Sequence, residues 1–456
     1  MKRQYVLALT LSALLGGSLA HAAPAEMDGA PVVELAKSGT VGSAKFAAEG
    51  PVYPLVQLDA PSYEQSKAFS DDRRRALGLG KPLAIGFPRD TTKATVDLDS
   101  LKWQTLADGS RAAHLSIGSD GAVALRAAIA FDANGRAANT AGLTLRFRGG
   151  NGQVFEQAGS ELAADELNWS PVVAGDAMTV EIVLAANARA GGMRLSVPQV
   201  SHLDIEPTAS VRDIAKGIGD SDWCENDVAC RGNPSAGFLE ASRSVARMTY
   251  VQGGKSWLCT GALLNNSFSP KKHLFWTAAH CISAASVART LQTYWSMQYA
   301  ACGSTTLHSA YTTLTGGANL RHANVQRDTS LLELRSAPPA NAFYAGWNSA
   351  AISSTGGAIE GIHHPSGDVK KYSLGRVTGL NTSLDGRGPF YRVVWSDGVT
   401  EGGSSGSPLF TVSGSGSYQL RGGLYGGTSF CSAQSDPDGY SRFADVYSTI
   451  SQYLSP

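Results

Sequence analysis

Three groups able to carry out nucleophilic acyl transfer stand in order along this chain: His280 in Thr277-Ala-Ala-His-Cys281, Asp328 just before Thr329-Ser-Leu-Leu-Glu-Leu334, and a serine in Glu401-Gly-Gly-Ser-Ser-Gly-Ser-Pro-Leu-Phe410. A serine hydroxyl is a poor nucleophile at neutral pH. It needs an imidazole to take its proton and a buried carboxylate to fix that imidazole's tautomer and stabilise its charge. His280 follows two alanines, small enough to leave its ring facing a cleft. A disulfide from Cys281, naturally to Cys259, would pin the turn that aims it. No Asp or Glu lies between His280 and Arg327, so Asp328 is the first carboxylate after the base, with Asp368 and Asp397 as fallbacks. Ser404, Ser405 and Ser407 share the glycine-bearing loop, where Gly403 and Gly406 permit a tight backbone that exposes a hydroxyl.

The elements that must hold these groups read as short strands. Gly261–Leu264, His273–Trp276, Thr329–Leu334, Tyr391–Trp395 and Gln419–Leu424 are apolar runs separated by Gly, Ser and Asn clusters, the pattern of an all-β barrel or sandwich. Residues 440–454 carry Phe443, Val446, Ile450 and Leu454 at a spacing that suits one closing helix. Before residue 210 the chain is rich in Ala and Gly, and it alternates at Met178–Leu184, Met193–Val197 and Ala141–Arg148, so a second, β-rich unit is expected there. The polar, glycine-bearing stretch between the two contains a Lys216-Gly217 bond, which reads as an exposed processing site or as an ordinary linker.

The chain opens with Met1-Lys-Arg-Gln, a mostly apolar run from Tyr5 to Leu19, and Ala20-His21-Ala22, the layout of a secretion signal over residues 1–22. The run is shorter than the roughly 20 residues of a membrane span, so no membrane partner is expected. The 38 basic residues balance the 38 acidic ones and only 17% of residues are charged, which leaves no basic field for nucleic acid. All six cysteines lie at or after Cys224, and an even number in an exported protein reads as disulfides. There is neither a Cys-x-x-Cys pair nor a His-Glu-x-x-His motif, so no metal and no cofactor is implied. His363 and His364 precede Pro365 and point to opposite faces of an extended segment, as a barrel wall would have them.

Cys224, Cys230, Thr277-Ala-Ala-His-Cys281, Asp328 with its apolar run, Ile362-His-His-Pro365 and Gly398-Val-Thr-Glu-Gly-Gly-Ser-Ser-Gly-Ser-Pro408 together resemble the bacterial lysyl endopeptidases, a branch of the chymotrypsin-like serine proteases. The resemblance implies a chymotrypsin-like double β-barrel over 217–456, closed by a C-terminal helix and preceded by a signal at 1–22 and a β-rich propeptide at 23–216. It selects Ser405 as nucleophile through the pattern Gly403-x-Ser405-Gly406-x-Pro408, with His280 as base and Asp328 as orienting acid. The backbone N–H groups of Gly403 and Ser405 would then serve as the oxyanion hole, worth roughly 3–4 kcal/mol per donor.

The resemblance further implies disulfides Cys224–Cys431, Cys230–Cys302 and Cys259–Cys281. A trypsin-type specificity acid would stand at Val399, so the family pattern instead points to Asp438, with Asp436 beside it, as the pocket acid. Tyr425, Gly426 and Gly427 would contact substrate, Tyr425 standing where the family has histidine; the family's cleft tryptophan has no counterpart in 382–389. Ser404 replaces the aspartate that pairs with a freed amino terminus in pancreatic-type enzymes, so maturation is expected to proceed by removal of a cleft-blocking prosegment, with self-cleavage after Lys216. The implied protein is a secreted monomer acting on proteins and peptides and on its own propeptide, preferentially at lysine. The alternatives are a broader Lys/Arg protease and a catalytically idle binding module.

Overall fold

The computed structural model describes residues 24–32, 44–77, 82–92, 94–163, 166–205, 207 and 221–455. The expected signal segment and the Lys216-Gly217 bond lie outside the described residues.

The N-terminal alternation resolves into a β-sandwich. In the strand Leu143–Arg148 buried and half-buried residues alternate strictly, and it pairs antiparallel with Ala177–Leu184 on one side and Val154–Ala158 on the other. Arg111–Ser119, the parallel strand Val52–Leu58 and the short strand Gln104–Thr105 complete that sheet. Its apolar face meets a second sheet built on Ala124–Ala133 and Met193–Leu203, and Leu115, Ile117, Leu125, Ile129, Phe147, Ile182 and Leu195 form the shared core. A helix at Tyr63–Leu77, absent from the sequence expectation, packs outside this core. Of its side chains, Phe69 is buried, so no apolar stripe announces it. It starts instead on a capping box: Ser62 Oγ accepts from Gln65 N and Gln65 Oε1 accepts from Ser62 N.

The second sheet does not stop at the boundary of this unit. Its strand Leu83–Asp90 pairs antiparallel with Lys255–Leu264 of the following unit, with Gly86 opposite Ser256 and Leu83 opposite Leu258, so both units share one sheet of 14 strands. Leu83, Ile85, Ala124, Val172, Leu203 and Ile205 enclose Leu258 in an apolar cluster at the junction. Buried polar groups also cross it: Arg126 Nη2 donates to Thr290 O at 2.7 Å, Val172 N donates to Gln292 Oε1 at 3.0 Å, and Arg247 donates to Pro207 O. A second attachment lies beyond the other end of the strand Lys255–Leu264, where Asn265 Nδ2 donates to Asp28 O at 2.6 Å. Glu26–Met27 pairs with Gly346–Asn348 and Ala30–Pro31 pairs with Phe343–Tyr344, strapping residues 24–32 onto the C-terminal unit.

The C-terminal unit consists of two curled sheets. In the first, Val245–Gln252, Lys255–Leu264, Leu274–Thr277, Thr329–Leu334 and Ala318–Asn324 follow one another, with Gln292–Trp295 and Thr312–Leu314 beyond Val245–Gln252. In the second, Tyr418–Gly427, Pro408–Val412, Ala358–His363, Lys371–Leu384, Arg387–Asp397 and Asp438–Tyr440 form a ring, closed because Asp438–Tyr440 pairs back onto Tyr418–Gly427. The structure corrects the closing helix expected over 440–454. Tyr440 is held in a strand by Tyr391 and Leu424, Phe443–Asp445 forms one 3-10 turn, and the helix spans Tyr447–Leu454. Phe443, Val446, Ile450 and Leu454 are nonetheless buried in one core.

Candidate active site

Strand register brings His280 and Asp328 together. Leu274–Thr277 and Thr329–Leu334 are antiparallel neighbours with Thr277 opposite Ser330, so the residues just past one strand and just before the other meet at the same sheet end. Asp328 is fully buried and makes two bonds to one residue. Its Oδ1 accepts the His280 backbone N–H at 2.8 Å and its Oδ2 faces His280 Nδ1 at 2.7 Å. A carboxylate there requires the proton on Nδ1, which leaves Nε2 with its lone pair. Among the described residues Nε2 has no hydrogen-bond partner. Asp328 holds a φ of 52°, a left-handed conformation costly for a residue with a side chain and typical of functional sites. The fallback acids lie elsewhere: Asp368 accepts from Ser221 and pairs with Lys371, and Asp397 accepts from Asn226.

The glycine-rich loop is fastened to the first sheet by Thr260, which the sequence reading did not single out. Thr260 N donates to Ser405 O and its hydroxyl donates to Gly403 O, both at 2.9 Å, while His364 N donates to that hydroxyl at 3.2 Å. Gly406, at φ 81°, presses on Thr277 so closely that a Cβ would collide with the Thr277 hydroxyl. Gly403 has φ 94°, and its N–H makes no hydrogen bond among the described residues. Ser404 is buried, with its hydroxyl 2.8 Å from His363 Nδ1. Cys281 is joined to Cys259, and its sulfur lies 3.8 Å from Ser405 O, so the base turn and the loop are in contact.

Asp438, the pocket acid expected from the sequence, is buried in the short strand Asp438–Tyr440. It pairs with Val393 and Gly427, and a Cβ on Gly427 would collide with its carboxylate. Its Oδ2 accepts from Trp395 Nε1 at 2.6 Å, Thr400 Oγ1 at 2.8 Å and Ser429 Oγ at 2.8 Å. Its Oδ1 has one long donor, Ser429 N at 3.3 Å. Burial pushes this carboxyl above the ordinary range, and the four neutral donors oppose that shift. Asp436 is exposed. Tyr425 lies edge-on to His280 at 5.8 Å between ring centres and stacks on Phe390 at 4.8 Å, while its hydroxyl donates to Asp385 at 2.8 Å. Phe390, just beyond the 382–389 stretch, thus supplies an aromatic ring in this wall.

The structure joins Cys224 to Cys431, Cys230 to Cys302 and Cys259 to Cys281. The first bond ties the start of the C-terminal unit to the loop before Asp438. Cys259, His280 and Cys281 place their N and S atoms within 4.8 Å of one another, but both sulfurs are spent in the disulfide and offer no thiolate ligand. No described residue of the N-terminal unit bonds to His280, Asp328, Tyr425 or Asp438; its bonds to the C-terminal unit run through the shared sheet, the strap and the polar groups around Arg126, Val172 and Pro207.

Two family profiles match, described as the lysyl endopeptidase N-terminal domain over residues 57–204 and the lysyl endopeptidase C-terminal domain over residues 218–441. A Pseudomonas aeruginosa protein named lysyl endopeptidase is 42% identical over 470 aligned residues, covering all of both chains. The chain belongs to the lysyl endopeptidase family. It is accordingly a serine endopeptidase. Among solved structures, similarity extends to a thermostable serine protease from an extremophilic microorganism, 14% identical with a TM-score of 0.34, covering 47% of this chain and 95% of that one. A protease of M. tuberculosis in its active form is 16% identical with a TM-score of 0.34, covering 52% of this chain and 93% of that one.

Proposed function

We propose that this lysyl endopeptidase family member is a secreted precursor, with a signal at 1–22, a propeptide at 23–216 and a monomeric protease domain at 217–456 that cuts after lysine. Ser405 Oγ bonds to the substrate carbonyl carbon as its proton passes to His280 Nε2, and Asp328 stabilises the resulting imidazolium. The N–H groups of Gly403 and Ser405 receive the oxyanion. Collapse breaks the C–N bond, and the leaving amine takes the proton from His280. Water then repeats the sequence on the acyl-enzyme and restores Ser405. Tyr425, Gly426 and Gly427 border the substrate backbone. The same chemistry at Lys216-Gly217 would separate the two units.

The lysine reading rests on the unequal oxygens of Asp438. Oδ2 already accepts three hydrogen bonds, whereas Oδ1 accepts a single long one, and all the donors are neutral. A buried carboxylate of this kind favours a cationic partner. One available oxygen suits the point charge of an ammonium, whereas a guanidinium fork is satisfied by two. The test is to digest a denatured protein mixture with processed enzyme and a Ser405→Ala control, and to read every cleavage site by mass spectrometry. Cuts confined to Lys–X support the reading. Mixed Lys and Arg cuts would show that Tyr425 and Phe390 accompany a broader pocket, and cuts that persist in Ser405→Ala would remove Ser405 from the mechanism.

A further inference from the structure

Behind the nucleophile loop lies a buried polar chain. Ser373 Oγ donates to Val399 O at 2.7 Å, so its one proton is committed. It must therefore accept its other contact, the 3.0 Å approach of His363 Nε2, which places the imidazole proton on that nitrogen. Nδ1 then carries a lone pair and accepts the Ser404 hydroxyl proton at 2.8 Å, while Ser404 Oγ accepts the Glu401 N–H at 3.2 Å. His363, Ser373, Val399 and Ser404 are all inaccessible to solvent. Burial, with the nearby Lys371 ammonium, drives the His363 pKa down to about 3, so the ring stays neutral as this pattern requires. The Glu225 carboxyl lies 3.7 Å from Nε2, and its own burial raises its pKa well above the ordinary range, which keeps it from forcing a charge onto the ring.

The two ends of this chain are functional parts. Val399 precedes Thr400, a donor to Asp438, and Glu401 opens the loop that carries Ser405. We propose that His363 is a positioning residue that locks the Ser405 loop to the wall of the Asp438 pocket, a role that Ser404 leaves open by replacing the aspartate of pancreatic-type enzymes. This rests on Ser405 being the nucleophile. The lock is assembled in the uncut chain: Ser221 already donates to Asp368, and Asp222 N already donates to Glu401 Oε1 at 2.8 Å. A new amino terminus is not required to build it. An aspartate at 404 would set an anion against the lone pair of Nδ1, so the residue that serves other branches is wrong for this one.

The test measures kcat and KM on a lysyl amide per active site, counted by burst titration, for processed Ser404→Ala, His363→Leu, His363→Gln and the Ser404→Ala/His363→Leu double variant. Each of Ser404→Ala and His363→Leu is expected to lower kcat by about tenfold or more while KM moves by less than about threefold. His363→Gln, which keeps a donor and an acceptor, should recover part of the loss. Because both residues act through one chain, the double variant should be no more than about twofold below the poorer single. Single variants within about twofold of the parent, or losses that multiply, would overturn the proposal. If His363→Leu does not accumulate, Ser404→Ala with Ser373→Ala carries the same cycle. Labelling by a fluorophosphonate that survives in Ser405→Ala would instead overturn the underlying assignment of Ser405.

Discussion

Asp438 is defined as much by its neighbours as by its charge. Trp395, Thr400 and Ser429 donate to one oxygen and leave the other with a single long bond, so under the proposed function selectivity becomes a matter of how many lone pairs remain. Thr400→Val removes one of those donors with little change of volume and leaves Oδ2 able to receive a second N–H. The expected outcome is a rise of about tenfold in the arginine-to-lysine ratio of kcat/KM on matched substrates, the scale of one charge-assisted hydrogen bond. An unchanged ratio would show that pocket shape, and not oxygen occupancy, sets the choice. At this scale the sequence is informative where chemistry is local. Asp328 is the first carboxylate after His280, whereas Asp438 is reached only through the family resemblance with Asp436 left beside it, and burial separates the two. Thr260, Phe390 and Ser373 carry no such signal, because each acts through a partner that only the fold brings to it.

Among the elements, the segment 363–371 of the second barrel is polar and heavily buried. His364 and Lys370 are both inaccessible; Lys370 Nζ donates to Ser242 O at 2.6 Å, and Arg247, which donates to Gly367 O, lies close by. Burial alone lowers the Lys370 pKa from its ordinary 10.5 to about 7. Below pH 7 the folded and unfolded chains both hold this proton, and folding bears the cost of burying the charge. From about 7 to about 10.5 the unfolded chain keeps the proton and the folded chain does not, so this residue makes stability rise with pH across that window. Lys370→Met removes the effect. The Tm difference between variant and parent should therefore fall steadily in the variant's disfavour from pH 7 to pH 10, and a flat difference would mean that the ammonium is not desolvated in the fold. Strands were readable in this unit because apolar runs and turn residues alternate. The expected helix over 440–454 was not, because its apolar spacing fits a strand, a turn and a shorter helix equally well, and only pairing with Tyr391 decides.

The whole molecule is organised around a sheet that two units share. Edge pairing uses backbone N–H and C=O groups, which every residue carries, so no side-chain pattern betrays it in the sequence. The junction also buries Ile85 completely against Leu258 and Leu203. Ile85→Lys places an ammonium in that apolar cluster, a change that severely weakens such contacts. The yield of titratable active sites per mole of expressed chain should drop by about tenfold or more, while those that mature keep the parental kcat/KM, because the substitution lies outside the C-terminal unit. An unaltered yield would show that the C-terminal unit assembles without this contact.

The strap at residues 24–32 and the shared strand at residues 83–86 grip the C-terminal unit at separate places. One cut in the 208–220 segment severs neither. The N-terminal half would remain a bivalent ligand, each grip holding the other at an effective concentration of about millimolar. Departure then requires both grips to open at once, and residence time becomes long even though each contact alone is modest. A second cut between residues 32 and 44, ahead of the strand Val52–Leu58 that pairs with Arg111–Ser119, would convert that ligand into two monovalent ones, so under the proposed maturation the clock for release is set inside the N-terminal unit and not at its junction.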